Sequence, residues 1–315
     1  MFKYLITIPM GWIIEQIYSL VSNYGLAIIL FTVLIKLILL PLNVRSQKAM
    51  KKQQKVQPII AELQQKYAND QEKLQREMMK IYKENNISMM GGCLPLLIQM
   101  PILIGLYRVI QQPLTYLLRV DWSQQAVLDK VISLRDAMAS QIGNLAQSTA
   151  EMLSKNSQIQ LSRWAEIVNG SSDPWVINFN FLGLDLANTP STAFNYLFSG
   201  NFSNLATIAL LLIPILAVLL SVAQMKISQA QTGQNKSNDN INQSAKMMNL
   251  MMPIMTLFFT VTLPSGLGIY WIISSLVQII QQVLLNYYFD KKGEEVIVTI
   301  PEKKQLHGAK SKKRR

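Results

Sequence analysis

The run YGLAIILFTVLIKLILLPL, residues 24–42, limits what this chain can fold into more than any other stretch. A membrane-spanning helix needs about 20 predominantly apolar residues at about 1.5 Å of rise each, and this run supplies them. It carries a single charge, Lys36. A lysine at the middle of a bilayer costs on the order of 2.5–3.5 kcal/mol, so Lys36 needs a partner, a water-filled cavity or a route to the interface. Arg45 follows nine residues later. That is about 13.5 Å along a helix, and a lysine stem covers about half of it, so snorkelling alone does not bring the charge out.

Further apolar runs begin near Gly92, Leu205, Met247 and Gly266. They predict an all-α polytopic membrane protein with five transmembrane helices at residues 24–44, 91–118, 205–224, 247–264 and 265–289. The fourth is close to the lower length limit, which suits a locally thinned bilayer. Residues 1–23 read as an interfacial helix, with Ile13, Ile14, Ile17, Leu20 and Val21 on one face and Glu15, Gln16 and Ser19 on another. The helix is expected to be retained, because its apolar run is short and no small-x-small cleavage site follows.

Charge gives the expected orientation. Residues 45–84 carry ten Lys/Arg against five acids, residues 289–315 nine against four, and residues 119–200 five against seven. Positive segments stay in the cytoplasm, which places the N-terminus outside and the tail, residues 290–315, inside a bacterial plasma membrane.

The polar stretches divide by pattern. In residues 45–90, Val56, Ile59, Ile60, Leu63 and Tyr67 have helical spacing, and a capping box from Asn69 to Glu72 opens a second helix with Leu74, Met78, Ile81 and Tyr82 on one face. Together they predict a cytoplasmic helical hairpin. Residues 119–204 form an extracytoplasmic region in which Trp122, Trp164 and Trp175 suit either the interface or a small external core. Residues 225–246 read as a flexible cytoplasmic loop. Cys93 is the sole cysteine and His307 the sole histidine, so no disulfide or histidine metal cluster is expected.

Two polar stripes run down apolar helices. Gly25, Thr32, Lys36 and Asn43 share one face of the first span, and Trp271, Ser274, Ser275, Gln278 and Gln282 share one face of the fifth. Helix packing and the lining of a wet cavity both account for the second stripe. None of the five spans holds Asp or Glu. A proton-coupled carrier or an intramembrane aspartyl protease would need such carboxylates, and a zinc protease would need HExxH, so both classes are disfavoured and no enzyme activity is expected.

The segments GLAIILFTVLIKLILLPL, then GGCLPLLIQMPILIGLY, then MPIMTLFFTVTLPSGLGIYWIISSLVQIIQQ resemble the YidC family of membrane protein insertases. The resemblance implies five core helices around a hydrophilic groove, open to cytoplasm and lipid, that needs no cofactor. It places Lys36, Thr32, Gln99, Ser274, Gln278 and Gln282 in a substrate-binding groove, and Pro101, Leu106, Met251 and Met255 on a slide along which substrate leaves for lipid. The family residue at position 36 is usually arginine; lysine keeps the charge but not the planar fork. The expected partners are nascent membrane proteins, the ribosome and a Sec-type translocon. Lys303, Lys304, Lys312, Lys313, Arg314 and Arg315 suit ribosomal RNA or anionic lipids. A membrane chaperone acting only beside a translocon is the alternative, and a small-solute transporter a remote one.

Overall fold

Asn23 starts the helix that carries Lys36. In the computed structural model, which describes residues 3–87, 94–142, 158–199, 205–232 and 243–292, Asn23 is extended and its side chain accepts a hydrogen bond from the Leu26 N–H at 3.0 Å. Helix α1 (Ile8–Val21) precedes it after a π-helical turn, Lys3–Thr7, and stops at Ser22 in the left-handed conformation. Helix α2 (Tyr24–Ile38) follows and ends at Leu39. The cause is two residues on: Pro41 has no N–H to donate, and its ring crowds the carbonyl four residues back. Helix α3 (Leu40–Lys66) then begins, so residues 40–44, expected to finish the first span, belong to the helix that carries on through the basic segment.

The chain forms two compact units. The first holds Met1–Leu40, Leu96–Met225 and Met247–Gln281; the second holds Pro41–Pro95, Lys226–Lys246 and Gln282–Arg315.

Within the first unit run α1, α2, most of α5 (Leu94–Gln111), α6 (Pro113–Tyr116), α7 (Gln125–Ile142), α8 (Gln158–Asn169), α9 (Pro190–Phe198) and α10 (Leu205–Ala209). Parts of α11 (Leu212–Thr232), α12 (Gln243–Thr262) and α13 (Ser265–Lys292) complete it. A single apolar core joins the membrane helices to the outer region: Tyr24, Ile28 and Phe31 of α2, Leu106 and Ile110 of α5, Leu161 and Trp164 of α8, and Tyr270 of α13 are all buried in it. Trp164 and Trp175 are core residues, and Trp122 packs on Trp175 at 6.1 Å while its N–H donates to the Thr115 hydroxyl at 2.8 Å. These tryptophans therefore take places in that shared core.

Asp173 pins that outer core. Its side chain is 5% exposed and accepts from the Lys130 ammonium at 2.7 Å, the Trp175 N–H at 2.7 Å and the Asn169 amide at 2.6 Å. Burial acts to raise its pKa, but these hydrogen bonds and the lysine charge outweigh burial and hold the carboxyl below the usual carboxylate range. A depressed folded pKa contributes stability that is present above the ordinary carboxylate value of about 3.9 and is lost as pH falls through the depressed one. We therefore expect tryptophan fluorescence to stay native to a lower pH in the wild type than an ordinary carboxylate would allow. Asp173→Asn should remove that acid step and weaken the outer region by about 2 kcal/mol at pH 7. An unchanged acid midpoint would rule this anchor out.

A two-stranded hairpin, β1 (Asn180–Phe181) and β2 (Leu184–Asp185), pairs Asn180 with Asp185 and Phe181 with Leu184. Its turn residues Leu182 and Gly183 both have positive φ, the geometry whose twist matches paired strands.

In the second unit α3 and α4 (Gln71–Glu84) form the expected hairpin. Val56, Ile60 and Leu63 pack against Leu74, Ile81 and Tyr82, with Ile59, Tyr67 and Met78 partly buried around them. The cap of α4 is Asp70, not Asn69: its carboxylate accepts from the Lys73 N–H at 3.0 Å, one residue later than the capping-box reading placed it. In the same unit, Lys48 and Lys51 lie 5.4 and 5.2 Å from the centre of the Phe289 ring, joining α3 to the end of α13 by cation–π contact.

Among the described residues three helical stretches are long and apolar enough to cross a membrane: Tyr4–Val21, Leu205–Ala230 and Ser265–Phe289. A fourth crossing arises if α2 and α3 count as one broken span, and Met251–Thr262 is a shorter apolar helix. The protein is thus an all-α polytopic membrane protein. The stretch Tyr4–Val21, expected along the interface, has the length and apolarity of a span.

Candidate functional site

Lys36 lies about 18 Å along α2 from Tyr24, at the 1.5 Å rise of a helix. Only 7% of it is exposed, and its ammonium donates to the Gln278 amide oxygen at 3.2 Å. Gln281, one turn further along α13, turns its amide nitrogen to the Lys36 backbone carbonyl at 3.2 Å. The two glutamines, one turn apart on α13, hold the lysine at two points, one at its charge and one at its backbone. Among the described residues no carboxylate pairs with Lys36. An ammonium has three donors, and the neutral Gln278 oxygen satisfies one of them. A buried charge held this way keeps a strong attraction for any anionic group that reaches it.

The polar stripe on α13 faces inward. Ser274, Ser275, Gln278, Gln281 and Gln282 are all buried, while Trp271 is half-buried and stacks on Phe259 at 6.0 Å. Gln282 has a buried amide oxygen with no hydrogen-bond partner among the described residues. Thr32, one turn before Lys36, is buried and spends its hydroxyl on the Ile28 carbonyl at 2.6 Å, so it lines the stripe without offering a free donor. Gln99 of α5 donates to the Tyr270 hydroxyl. Tyr270 precedes Gln278 by two helical turns, about 12 Å, so Gln99 makes a separate contact and does not reach Lys36.

The positions expected to guide substrate into lipid separate. Met251 and Met255 are 55% and 39% exposed on α12 and Pro101 is half-buried on α5, whereas Leu106 is fully buried in the core, where it serves packing. Lys303, Lys304, Lys312, Lys313, Arg314, Arg315 and His307 lie outside the described residues, as do Cys93 and the side chains of Met247 and Met248.

Sequence reasoning missed Gln281 and Tyr270. Both carried a signal: Gln281 falls seven residues after Ser274 and Tyr270 four before it, on the same helical face as the stripe. It also passed over the strap, residues 176–188, that closes over the start of α2. The Tyr24 N–H donates to the Asn178 carbonyl at 3.0 Å, the Asn23 amide to the Asn180 carbonyl at 2.8 Å, and Phe179 packs edge-on to Tyr24. The strap also receives α13: the Ser265 N–H donates to the Asn188 carbonyl at 2.9 Å and the Gly266 N–H to the Leu186 carbonyl at 3.2 Å. Helix starts leave backbone donors unpaired, and these carbonyls satisfy them for both helices of the site.

The membrane protein insertase YidC 2 of Listeria innocua is 30% identical over 299 residues, which cover 93% of this chain and 75% of that protein. The membrane protein insertase YidC of Caldanaerobacter subterraneus subsp. tengcongensis is 30% identical over 279 residues, 89% of this chain and 93% of its own. A shorter stretch of 94 residues, 30% of this chain, is 55% identical to 40% of the membrane protein insertase YidC of Clostridium perfringens. The family described as 60Kd inner membrane protein matches residues 16–292. With its helices, its buried lysine and a match of that extent, the chain belongs to the 60Kd inner membrane protein family, the family of the bacterial YidC proteins.

Proposed function

We propose that this protein inserts newly made membrane proteins and helps them fold, using Lys36 as a fixed positive charge within a hydrophilic groove. The observation that carries this reading is the Lys36 ammonium, buried and held by the Gln278 amide with no carboxylate partner among the described residues. A substrate's acidic flank supplies the missing anion. Thr32, Ser274, Gln278 and Gln282 make the surroundings polar, and Gln99 with Tyr270 forms a second polar contact nearer the strap. The polar lining shortens the hydrocarbon that the flank must cross. The apolar part of the substrate then leaves along Pro101, Met251 and Met255. Its transfer is driven by roughly 20 residues entering lipid at a few tenths of a kcal/mol each for Leu, Ile, Val or Phe, so no nucleotide is required.

The amphipathic hairpin of α3 and α4 meets the nascent segment first, and the basic tail, including Lys303, Lys304, Lys312, Lys313, Arg314 and Arg315, holds ribosomal RNA or anionic lipid. The N-terminus lies outside and the tail inside the plasma membrane, following the positive segments.

The test is reconstitution. Purified protein in liposomes free of any translocon should speed insertion of a single-span substrate with an acidic outer tail about tenfold or more over empty liposomes. It should speed a neutral-tailed substrate less, and the gain should fall when residues 53–85 are deleted. No gain without a Sec-type translocon would replace the insertase by a chaperone that works only beside one, and a gain untouched by the deletion would remove the hairpin from capture.

A further inference from the structure

A polar cavity of about 380 Å³ opens in the first unit, lined among others by Gln111, Gln160, Arg163, Thr189 and Thr262. Gln111 is the last residue of α5 and Thr262 the last of α12, so the cavity sits where two apolar helices end, at the level of a membrane boundary. Its cation is held in place: Arg163 pairs with Asp185, whose carboxylate also accepts from the Ala187 N–H at 3.0 Å. A guanidinium has five N–H donors in a rigid fork, and this pairing leaves others for a second acceptor. The side-chain amides of Gln111 and Gln160 have no hydrogen-bond partner among the described residues and add further donors.

Below the cavity the surface turns apolar. Thr262 donates to the Phe258 carbonyl at 2.7 Å, one turn down α12. Phe258, Met255 and Met251 continue the same face at four, seven and eleven residues from Thr262 and are exposed, Phe258 at 61%. From Phe258 to Met251 the strip runs about 10.5 Å, the scale of the upper half of an acyl chain. Clustered donors at a membrane boundary above an exposed apolar strip are the outline of one phospholipid.

We propose that this cavity binds the phosphodiester headgroup of a single phospholipid, with Arg163, Gln111 and Gln160 as donors and an acyl chain along Phe258, Met255 and Met251. The lipid then occupies the strip assigned to departing substrate and is displaced when a substrate helix passes. The lipid site rests on the membrane placement of α5 and α12, and only its displacement by a substrate helix rests on the insertion reading.

The experiment uses the full chain, stripped of lipid in detergent, with short-chain phosphatidylglycerol added and binding counted by native mass spectrometry. One lipid should bind, Gln160→Leu and Arg163→Gln should each weaken it about tenfold, and an equal concentration of inorganic phosphate should not compete. Phe258→Asn should also weaken the lipid, since it alters only the strip. Gln160→Leu leaves the Arg163–Asp185 pair intact, so it reports on binding even if Arg163→Gln lowers the melting temperature. Unchanged binding in Gln160→Leu combined with Gln111→Leu would overturn the site. Competition by inorganic phosphate as strong as by lipid would make it an anion site and overturn the lipid assignment.

Discussion

Lys36→Ala is expected to slow insertion of a substrate with an acidic outer tail by about ten- to a hundredfold, whereas Lys36→Arg retains most of the rate. A hydrogen bond to a charged group contributes about 1.5–3 kcal/mol, and each 1.4 kcal/mol is a factor of ten. Arginine keeps the charge and adds a planar fork that grips a carboxylate with two parallel bonds, so it should bind the acidic flank at least as well. The fold should tolerate the alanine. Removing Lys36 leaves the Gln278 oxygen without its donor, which costs, but it also relieves the burial of an ammonium that only an amide partners. The two effects oppose each other, and the melting temperature should move little. A neutral-tailed substrate serves as the control and should respond weakly to either change. If all three proteins inserted the acidic substrate equally, Lys36 would be a packing residue, and insertion would rest on the hairpin and the locally thinned membrane.

Gly25→Leu should be the most damaging single change at the strap. A Cβ added at Gly25 would stand 2.5 Å from the Phe181 ring, 2.7 Å from the Phe181 Cβ and 2.8 Å from a Leu186 methyl. The strap cannot retreat without giving up the bonds from Asn23 and Tyr24 to the Asn180 and Asn178 carbonyls. Overpacking costs about 1–3 kcal/mol and each lost hydrogen bond about 1 more, so a loss of roughly 3–5 kcal/mol is expected. The strap should also become more open to protease. Gly25→Ala combined with Phe181→Gly provides the decisive comparison: residues in contact couple, so the pair should be less destabilising than the sum of its members. Strict additivity in melting temperature would mean that strap and α2 do not meet as described.

The features set by local physics were legible in the residues. The apolar run at residues 24–42 announced a membrane helix because hydrocarbon admits only helices or closed barrels, and Lys36 stood out because a charge there is costly. The two hairpin helices were legible from 3.6-residue periodicity, down to Leu74, Ile81 and Tyr82 on the buried face. The cap slipped by one residue because Asn69 and Asp70 are both able caps and only backbone geometry chooses between them.

The candidate site was half legible. Gln278 lay on the predicted stripe and meets Lys36, but periodicity marks a face without saying which member of it touches what. Gln281, Tyr270 and the strap carbonyls act on partners far away in the chain; the Lys36–Gln278 bond joins residues 242 positions apart. Leu106 shows the converse. Its place in an apolar run suits a lipid-facing surface as well as a core, and the packing of α5 against its neighbours put it in the core.

The sequence by itself determined that this chain is helical, crosses a membrane and carries a lysine, Lys36, inside an apolar run, because helix periodicity and the cost of a charge in hydrocarbon depend only on residues near one another. The tertiary structure alone decided that the Lys36 ammonium meets Gln278 while Gln281 holds the Lys36 carbonyl, and that a strap, residues 176–188, pairs the starting donors of α2 and α13. Those contacts are set by how distant helices pack, and a one-dimensional pattern does not contain that distance.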